Sequence, residues 1–222
     1  MKVSEAIQSR ITVRQFLDKP VPAETIREIL EIAKRAPSGG NIQPWTVHVV
    51  VGDALRNLVD DVDEKQHKGV TEELEYNIYP PDLTDPYKTR RRIVGQQLYD
   101  LIGVPREDTP GKRKQLARNF RFFDAPVGIF FVLHRQMEIG QYADVGMFMQ
   151  NIMLLAQEYG LDTCPQEAWA RWPETLKEHL SLGDHEMLFC GMALGYQDEE
   201  AIINKLTSAR EEFDNFVTLH GY

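Results

Sequence analysis

Two cysteines in 222 residues, Cys164 and Cys190, are too few for a disulfide framework, and their spacing matches neither a CxxC redox pair nor a zinc site. Buried free thiols in a reducing compartment are expected, with a single bridge as the alternative. Long apolar runs are missing too. Nothing approaches the length that spans a bilayer. The opening "MKVSEAIQSRITVRQF" has one early lysine but no continuous apolar region behind it, so no secretory leader is expected and the location reads as cytoplasmic. Excess positive charge is also lacking: 34 acidic residues against 25 Lys and Arg leave a formal net charge of −9, which repels nucleic acid and anionic lipid as main partners. Internal repeats and low-complexity tracts are absent. So are the GxGxxG turn, the Walker loop, HExxH and the GxSxG elbow, which leaves Rossmann, NTPase, zincin and α/β-hydrolase readings without their parts. The six histidines are scattered, and His185 has no second histidine four residues on to share a metal.

What is present begins with 42% hydrophobic residues, enough for the core of one large domain. A short helix capped by Ser4 is expected to end near Arg10. Pro22 opens a second, with Ile26, Ile29, Leu30 and Ala33 on one face and Pro37 as its stop. "TVHVVV", Thr46 to Val51, reads as a buried strand, and Leu55, Leu58, Val59 and Val62 return to helical spacing. From about 63 to 119 the character changes. "YNIYPPDLTDPYKTRRR" is rich in Tyr, Pro and Arg, "GVPREDTPGKRK" is a polar connector, and Ile93, Val94, Leu98, Leu101 and Ile102 support a helix between them. This stretch reads as an excursion from the core that serves as a lid, a subunit contact or a plain insertion.

Core sequence resumes with a strand from Val127 to Leu133. "GQYADVGMFMQNIMLLAQEYGL" is apolar nearly all round and stops at Gly160, the pattern of a fully buried central helix. "MLFCGMALGY" supplies another buried strand, and "REEFDNFVTLHGY" is too apolar for a free end. Helices outnumber and separate the strands, which gives a single α+β sandwich.

Three loops carry the chemical interest. In "SRITVRQF", Arg10, Thr12 and Arg14 share one face if the chain is extended, and their forks suit an anion; a solvated pair at a helix end is the plain alternative. In "APSGGNIQPW", Gly39 and Gly40 let backbone approach something flat, while Gln43, Pro44 and Trp45 lock the loop to the core. "TCPQEAW" can present backbone N–H groups at a new helix start, or be an ordinary loop-to-helix join with Glu167 favoured by the dipole.

These stretches, with the late arginine of "KLTSAREEF", resemble in order and separation the nitroreductase family of FMN-dependent oxidoreductases. The resemblance covers nearly the whole chain, including "LDKPVP", "FFDAPVGIFF" and "GQYADVGMFMQNIMLLAQEYGLDTCPQEAW". "PYKTRRRIVGQQLYDLIGVPRED" resembles the branch acting on nitroaromatic acids and phenols. It implies one domain over 1–222: a three-layer sandwich with a central, mostly antiparallel sheet flanked by helices. It also implies an intertwined homodimer with flavins at the interface and residues 211–222 as an arm on the partner.

By the same resemblance Arg10, Ile11, Thr12, Arg14 and Arg210 hold the FMN phosphate and ribityl chain, with Arg14 reaching toward the ring. Ile11 stands where many members carry a basic residue. Pro37, Ser38, Gly39, Gly40 and Asn41 come from the opposite subunit to lie along the flavin. Pro165, Gln166, Glu167 and Ala168 form the wall whose backbone N–H at Glu167 and Ala168 faces flavin N5. Arg118 meets the pyrimidine edge, with Asn119 and Arg121 as alternatives. NADH or NADPH delivers a hydride to N5, and a nitroaromatic or quinone takes it from the same face in ping-pong order, with no side-chain nucleophile and no metal. From composition, not the resemblance, substrate contact is expected around Tyr76, Tyr79, Tyr87 and Arg90 to Arg92, with Tyr87 and Arg91 as the candidates and a solvated helix face as the plain alternative. A quinone, enone or halophenol reductase, or a flavin-binding protein with little turnover, are the competing readings.

Overall fold

The computed structural model describes residues 1–221. Four strands, β1 (Thr46–Val51), β2 (Val127–His134), β3 (Asp162–Gln166) and β4 (Glu186–Gly195), form one sheet in the order β1-β2-β4-β3, every pair antiparallel. Seven helices complete the fold: α1 (Val3–Ser9), α2 (Ala23–Ala33), α3 (Gly52–His67), α4 (Tyr87–Leu101), α5 (Thr109–Ala117), α6 (Ile139–Glu158) and α7 (Pro173–Leu180).

β2 shows why the run "VGIFFVL" had to be central. All seven residues from Val127 to Leu133 are buried, because successive side chains point to opposite faces and both faces are covered. Phe130 and Val132 join Leu58, Val62, Phe122, Trp169 and Leu176 on the α3/α7 side. Ile129, Phe131 and Leu133 join Ile29, Phe148 and Ile152 on the α2/α6 side. The three-layer α+β sandwich expected from the sequence is thus present, and Cys164 and Cys190 lie buried in it as free thiols.

Several expectations need correction. Ser4 lies inside α1, whose first turn is closed instead by the Lys2 backbone N–H donating to Glu5 Oε2 at 2.8 Å. α2 ends at Ala33, short of Pro37, and α3 runs to His67, past the expected start of the excursion. The connector "GVPREDTPGKRK" contains α5, capped by the Asp108 carboxylate accepting from Gly111 N–H at 2.9 Å. "TCPQ" is edge strand, not loop; the edge tolerates Pro165, whose missing N–H breaks no ladder on the open side.

α6 is not buried all round within one chain. Val145, Phe148, Met149, Ile152 and Ala156 face the sheet, but Ile139 is 88% exposed and Met147 is exposed as well. The tail is tied to its own chain by the Glu211–Arg90 ion pair, but its apolar side chains Phe213, Phe216 and Leu219 are exposed; Tyr222, the last residue of the expected arm, lies outside the described residues. Among the described residues, no helix is long and apolar enough to cross a membrane.

Candidate flavin site

The segment after α1 is extended and laid along the edge strand. Val13 N–H donates to Thr163 O at 3.1 Å, Thr12 bridges Thr163 in parallel, and Val13 is fully buried. Alternation then turns Thr12 and Arg14 away from the core. Buried Asn204 ties this segment to the chain's end: its Oδ1 accepts from Arg14 N–H at 2.7 Å, and its Nδ2 donates to Gln15 O at 2.8 Å and Asp198 O at 2.9 Å. That clasp brings residues 206–210 beside α1.

The result is a cavity of about 440 Å3 whose wall includes Arg10, Ile11, Thr12, Arg14, Thr207, Ser208 and Arg210 and, among the described residues, no carboxylate. None of these three arginines has an ion-pair partner among the described residues, whereas Arg90, Arg118, Arg121 and Arg135 all do. Arg14 Nη1 donates to Thr12 O at 3.1 Å, and Arg210 Nη1 to Ser208 O at 2.9 Å and Ser208 Oγ at 2.7 Å, which aims rather than neutralises them. Guanidiniums gathered without a counter-charge, in a chain with surplus acid, describe an anion site.

Arg14 is shared with a second chamber of about 770 Å3. Its walls are the end of β3 (Cys164, Pro165, Gln166), the one-turn helix Glu167–Arg171, Asn119, and Gly146, Met149 and Met153 of α6. Gln166 is buried; its Nε2 donates to Asn119 O at 2.7 Å, which leaves Oε1 in the wall with no donor among the described residues. The Thr163 hydroxyl on the same strand is equally buried and unpartnered. Burial alone pushes the Glu167 carboxyl above its ordinary pKa. The one-turn helix is fixed from behind by Trp169, fully buried against Phe120 (5.5 Å between ring centroids), Phe122 (4.7 Å) and Phe130 (5.2 Å). The leading N–H groups of such a turn, at Glu167 and Ala168, lie outside its own ladder.

The structure therefore brings together Arg10, Ile11, Thr12, Arg14, Arg210, Pro165, Gln166, Glu167 and Ala168. Arg118 does not line either chamber. Its Nη2 donates to Gln15 Oε1 at 2.5 Å and Asp124 Oδ2 at 2.9 Å, and Asn119 takes the place beside the cleft. Arg121 pairs with Asp63 at 2.6 Å. Arg91 reaches the second chamber stacked 4.0 Å over Tyr79, while Tyr87 is exposed and lines neither chamber.

Pro37–Asn41 does not reach either chamber of its own chain. The loop is built for shape nonetheless: Gly40 and Asn41 both have φ of 56°, Gly39 N–H donates to buried Asp144 at 3.2 Å, and Trp45 stacks on Phe148 at 4.8 Å. Met149, Met153 and Gly146 were missed as wall residues, because in sequence they look like any apolar helix face. Thr207 and Ser208 had a signal, their adjacency to Arg210.

A cleft with an unpaired arginine cluster at one end and an orphan amide acceptor in the wall of the other defines the class: an α+β sandwich built around a phosphorylated, flat ligand. The chain belongs to the nitroreductase family, whose sequence profile matches residues 7–196. It is 41% identical over 218 residues to the chloronitrobenzene nitroreductase of Comamonas testosteroni, covering 97% of this chain and 96% of that one. With the 4-nitrobenzoate reductase of Pseudomonas putida it shares 36% identity, covering 97% and 94%. The crystal structure of the FMN and NADPH-dependent nitroreductase NfnB from Sphigopyxis sp. strain HMH superposes with a TM-score of 0.97 at 42% identity, both chains fully covered. The NfnB of Mycobacterium smegmatis in complex with NADPH gives 0.93 at 26% identity, covering 98% of each.

Proposed function

We propose that this chain is an FMN-dependent nitroreductase that oxidises NADH or NADPH and reduces nitroaromatic compounds as a homodimer. One observation carries the reading: three guanidiniums with no carboxylate partner close one end of a cleft whose other end has an unsatisfied, buried amide acceptor. The residues fit the cofactor. A phosphate monoester carries about −1.5 to −2 charges at pH 7 and three acceptor oxygens, which suits Arg10, Arg14 and Arg210 together. Gln166 Oε1, in the wall of the second chamber, would answer the polar edge of a flavin. When bound there, FMN would supply the hydride chemistry that links a reduced nicotinamide to a nitro group.

What the chain itself does is bind, orient and exclude water. Trp169 packs behind the Glu167–Arg171 turn and holds Glu167 and Ala168 in the chamber wall. Asn119 fixes the rotamer of Gln166. Met149 and Met153 supply an apolar, adaptable wall.

The dimer accounts for two surfaces that one chain leaves bare, the Ile139–Met147 side of α6 and the aromatic tail. On this reading Pro37–Asn41, which sits against α6, would complete the partner's site. Arg91, stacked on Tyr79 at the chamber mouth, is assigned to the acceptor side in place of exposed Tyr87. The buried free thiols suit a cytoplasmic setting.

The test is anaerobic. FMN-loaded protein is mixed with NADH or NADPH and followed at the flavin bands, then given nitrobenzene or 4-nitrobenzoate. Bleaching by a reduced nicotinamide and recovery with the nitroarene is the expected course. Bound flavin that neither nucleotide bleaches would refute the reading.

A further inference from the structure

Beyond the flavin cleft, the excursion forms one side of a third and larger, open cavity of about 980 Å3, bordered by the segment 79–84, α4 and the start of α5. Among the described residues six cations line it, Arg14, Lys88, Arg91, Arg92, Arg106 and Lys112, against a single carboxylate, Asp82. None of the six has an ion-pair partner among the described residues, although the chain carries 34 acidic residues. Neighbouring Arg90, by contrast, is paired with Glu211. The two cations from the α5 side are held as a unit, since Lys112 Nζ donates to Arg106 O and lies 5.4 Å from the Tyr99 ring. Flat and apolar surface is present as well, in Tyr79, Tyr99, Leu83 and Leu98.

The cavity is continuous with the chemistry. Arg14, Tyr79 and Arg91 line both it and the flavin chamber. A ligand with one end on the flavin can therefore lay its other end among these cations. A nitrobenzoate has a single charge and cannot span both chambers. A dinucleotide can, and its adenosine half brings a pyrophosphate and a flat base. Only NADPH adds a 2′-phosphate, worth about −1.5 to −2 further charges.

We infer that this excursion cavity is the seat of the adenosine 2′-phosphate of the electron donor, with Arg92 and Arg106 as its specificity-determining contacts, so that the enzyme uses NADPH in preference to NADH. The inference rests on the flavin-reductase reading above and adds the donor and its residues to it. Arg92 and Arg106 are exposed and appear in no other side-chain bond, so their loss leaves the fold intact.

The test uses FMN-loaded full-length protein and two probes, 2′,5′-ADP and 5′-AMP, by calorimetry. 2′,5′-ADP is expected to bind at least about tenfold more tightly, the loss of one partly exposed charge-assisted contact. Arg92→Ala with Arg106→Ala should abolish that preference and raise the KM for NADPH about tenfold relative to that for NADH. Arg106→Lys, which keeps the charge, should restore part of it. Equal binding of the two probes, or a preference that survives the double variant, overturns the inference. So does a double variant that shifts the KM for 4-nitrobenzoate and leaves the NADPH to NADH ratio alone, since the cavity would then serve the acceptor. If the protein retains no FMN the parent reading fails and takes the inference with it. If FMN binds and both nucleotides reduce it equally well, only the inference fails.

Discussion

Replacing Gly191 by alanine tests how the fold aims the flavin chamber. Gly191 lies in β4, paired with Phe130 on one side and Gln166 on the other. A Cβ there would stand 2.4 Å from Trp169 Cδ1 and 3.1 Å from Cγ and Nε1. The indole cannot retreat, because it is fully buried among Phe120, Phe122 and Phe130. The added methyl must therefore crowd Trp169 and strain the Glu167–Arg171 turn that carries it. Overpacking of this kind costs about 1–3 kcal/mol, which in a chain of this size lowers Tm by roughly 2–12 °C. A displacement near 1 Å at the turn costs up to about 10²-fold in turnover. Differential scanning calorimetry and steady-state reduction of nitrobenzene are the assays. Gly140→Ala, whose Cβ meets nothing within 4 Å, is the control and should lose no stability. A Gly191→Ala protein with unchanged Tm and turnover would show that Trp169 has room to move and that it does not anchor the turn.

Three further outcomes follow from charge and burial. Burial raises the Glu167 pKa, so its ionisation costs stability: the cost is absent below the unfolded value of about 4.3 and complete above the folded one. Glu167→Gln should therefore raise Tm at pH 7 and lose that advantage near pH 4; a difference independent of pH would contradict this. At Asp61 burial also pushes upward, but bonds from His179 Nε2 at 2.9 Å and Lys65 Nζ at 3.0 Å overcome it and hold the carboxyl below its usual range. That stability is present above the unfolded pKa of about 3.9 and is lost as pH falls through the folded one. Asp61→Asn should cost about 1 kcal/mol at pH 7 in urea unfolding and converge with wild type in acid; equal stability at pH 7 would dismiss the clasp between α3 and α7. Burial pushes the Cys164 thiol to about 12 and raises Cys190 well above its ordinary value. Neither should alkylate with iodoacetamide at pH 8 until urea unfolds the chain, and stoichiometric labelling of native protein would refute their burial.

Sequence patterning located what depends on local periodicity. β1 has the bounds Thr46–Val51 read from "TVHVVV", but it is not the buried strand expected: at the sheet edge only Val50 is buried and Val49 and Val51 are exposed. The alternation of Arg10, Thr12 and Arg14 translated directly into one wall of a cavity. β3 escaped because Asp162 and Pro165 disfavour strands and five residues show no apolar alternation; pairing with β4 makes it a strand. The choice between Arg118 and Asn119 was hidden for a different reason. Phe122, Phe123 and Asp124 all take positive φ (50°, 54° and 67°), a chain reversal that no glycine announces, and it turns Arg118 onto Asp124. The bare side of α6 was read as buried because an apolar helix surface looks alike whether its own chain or another covers it.

The claim on which the rest depends is that Arg10, Arg14 and Arg210 hold a phosphate. Equilibrium binding of FMN and of riboflavin, which lacks only that group, measures it directly. With charge-assisted contacts at about 1.5–3 kcal/mol each, the protein should prefer FMN by about 100-fold or more, and Arg10→Ala with Arg210→Ala should erase most of that preference while riboflavin binding holds. Equal affinity for the two flavins, or a preference untouched by removing both arginines, would contradict the account.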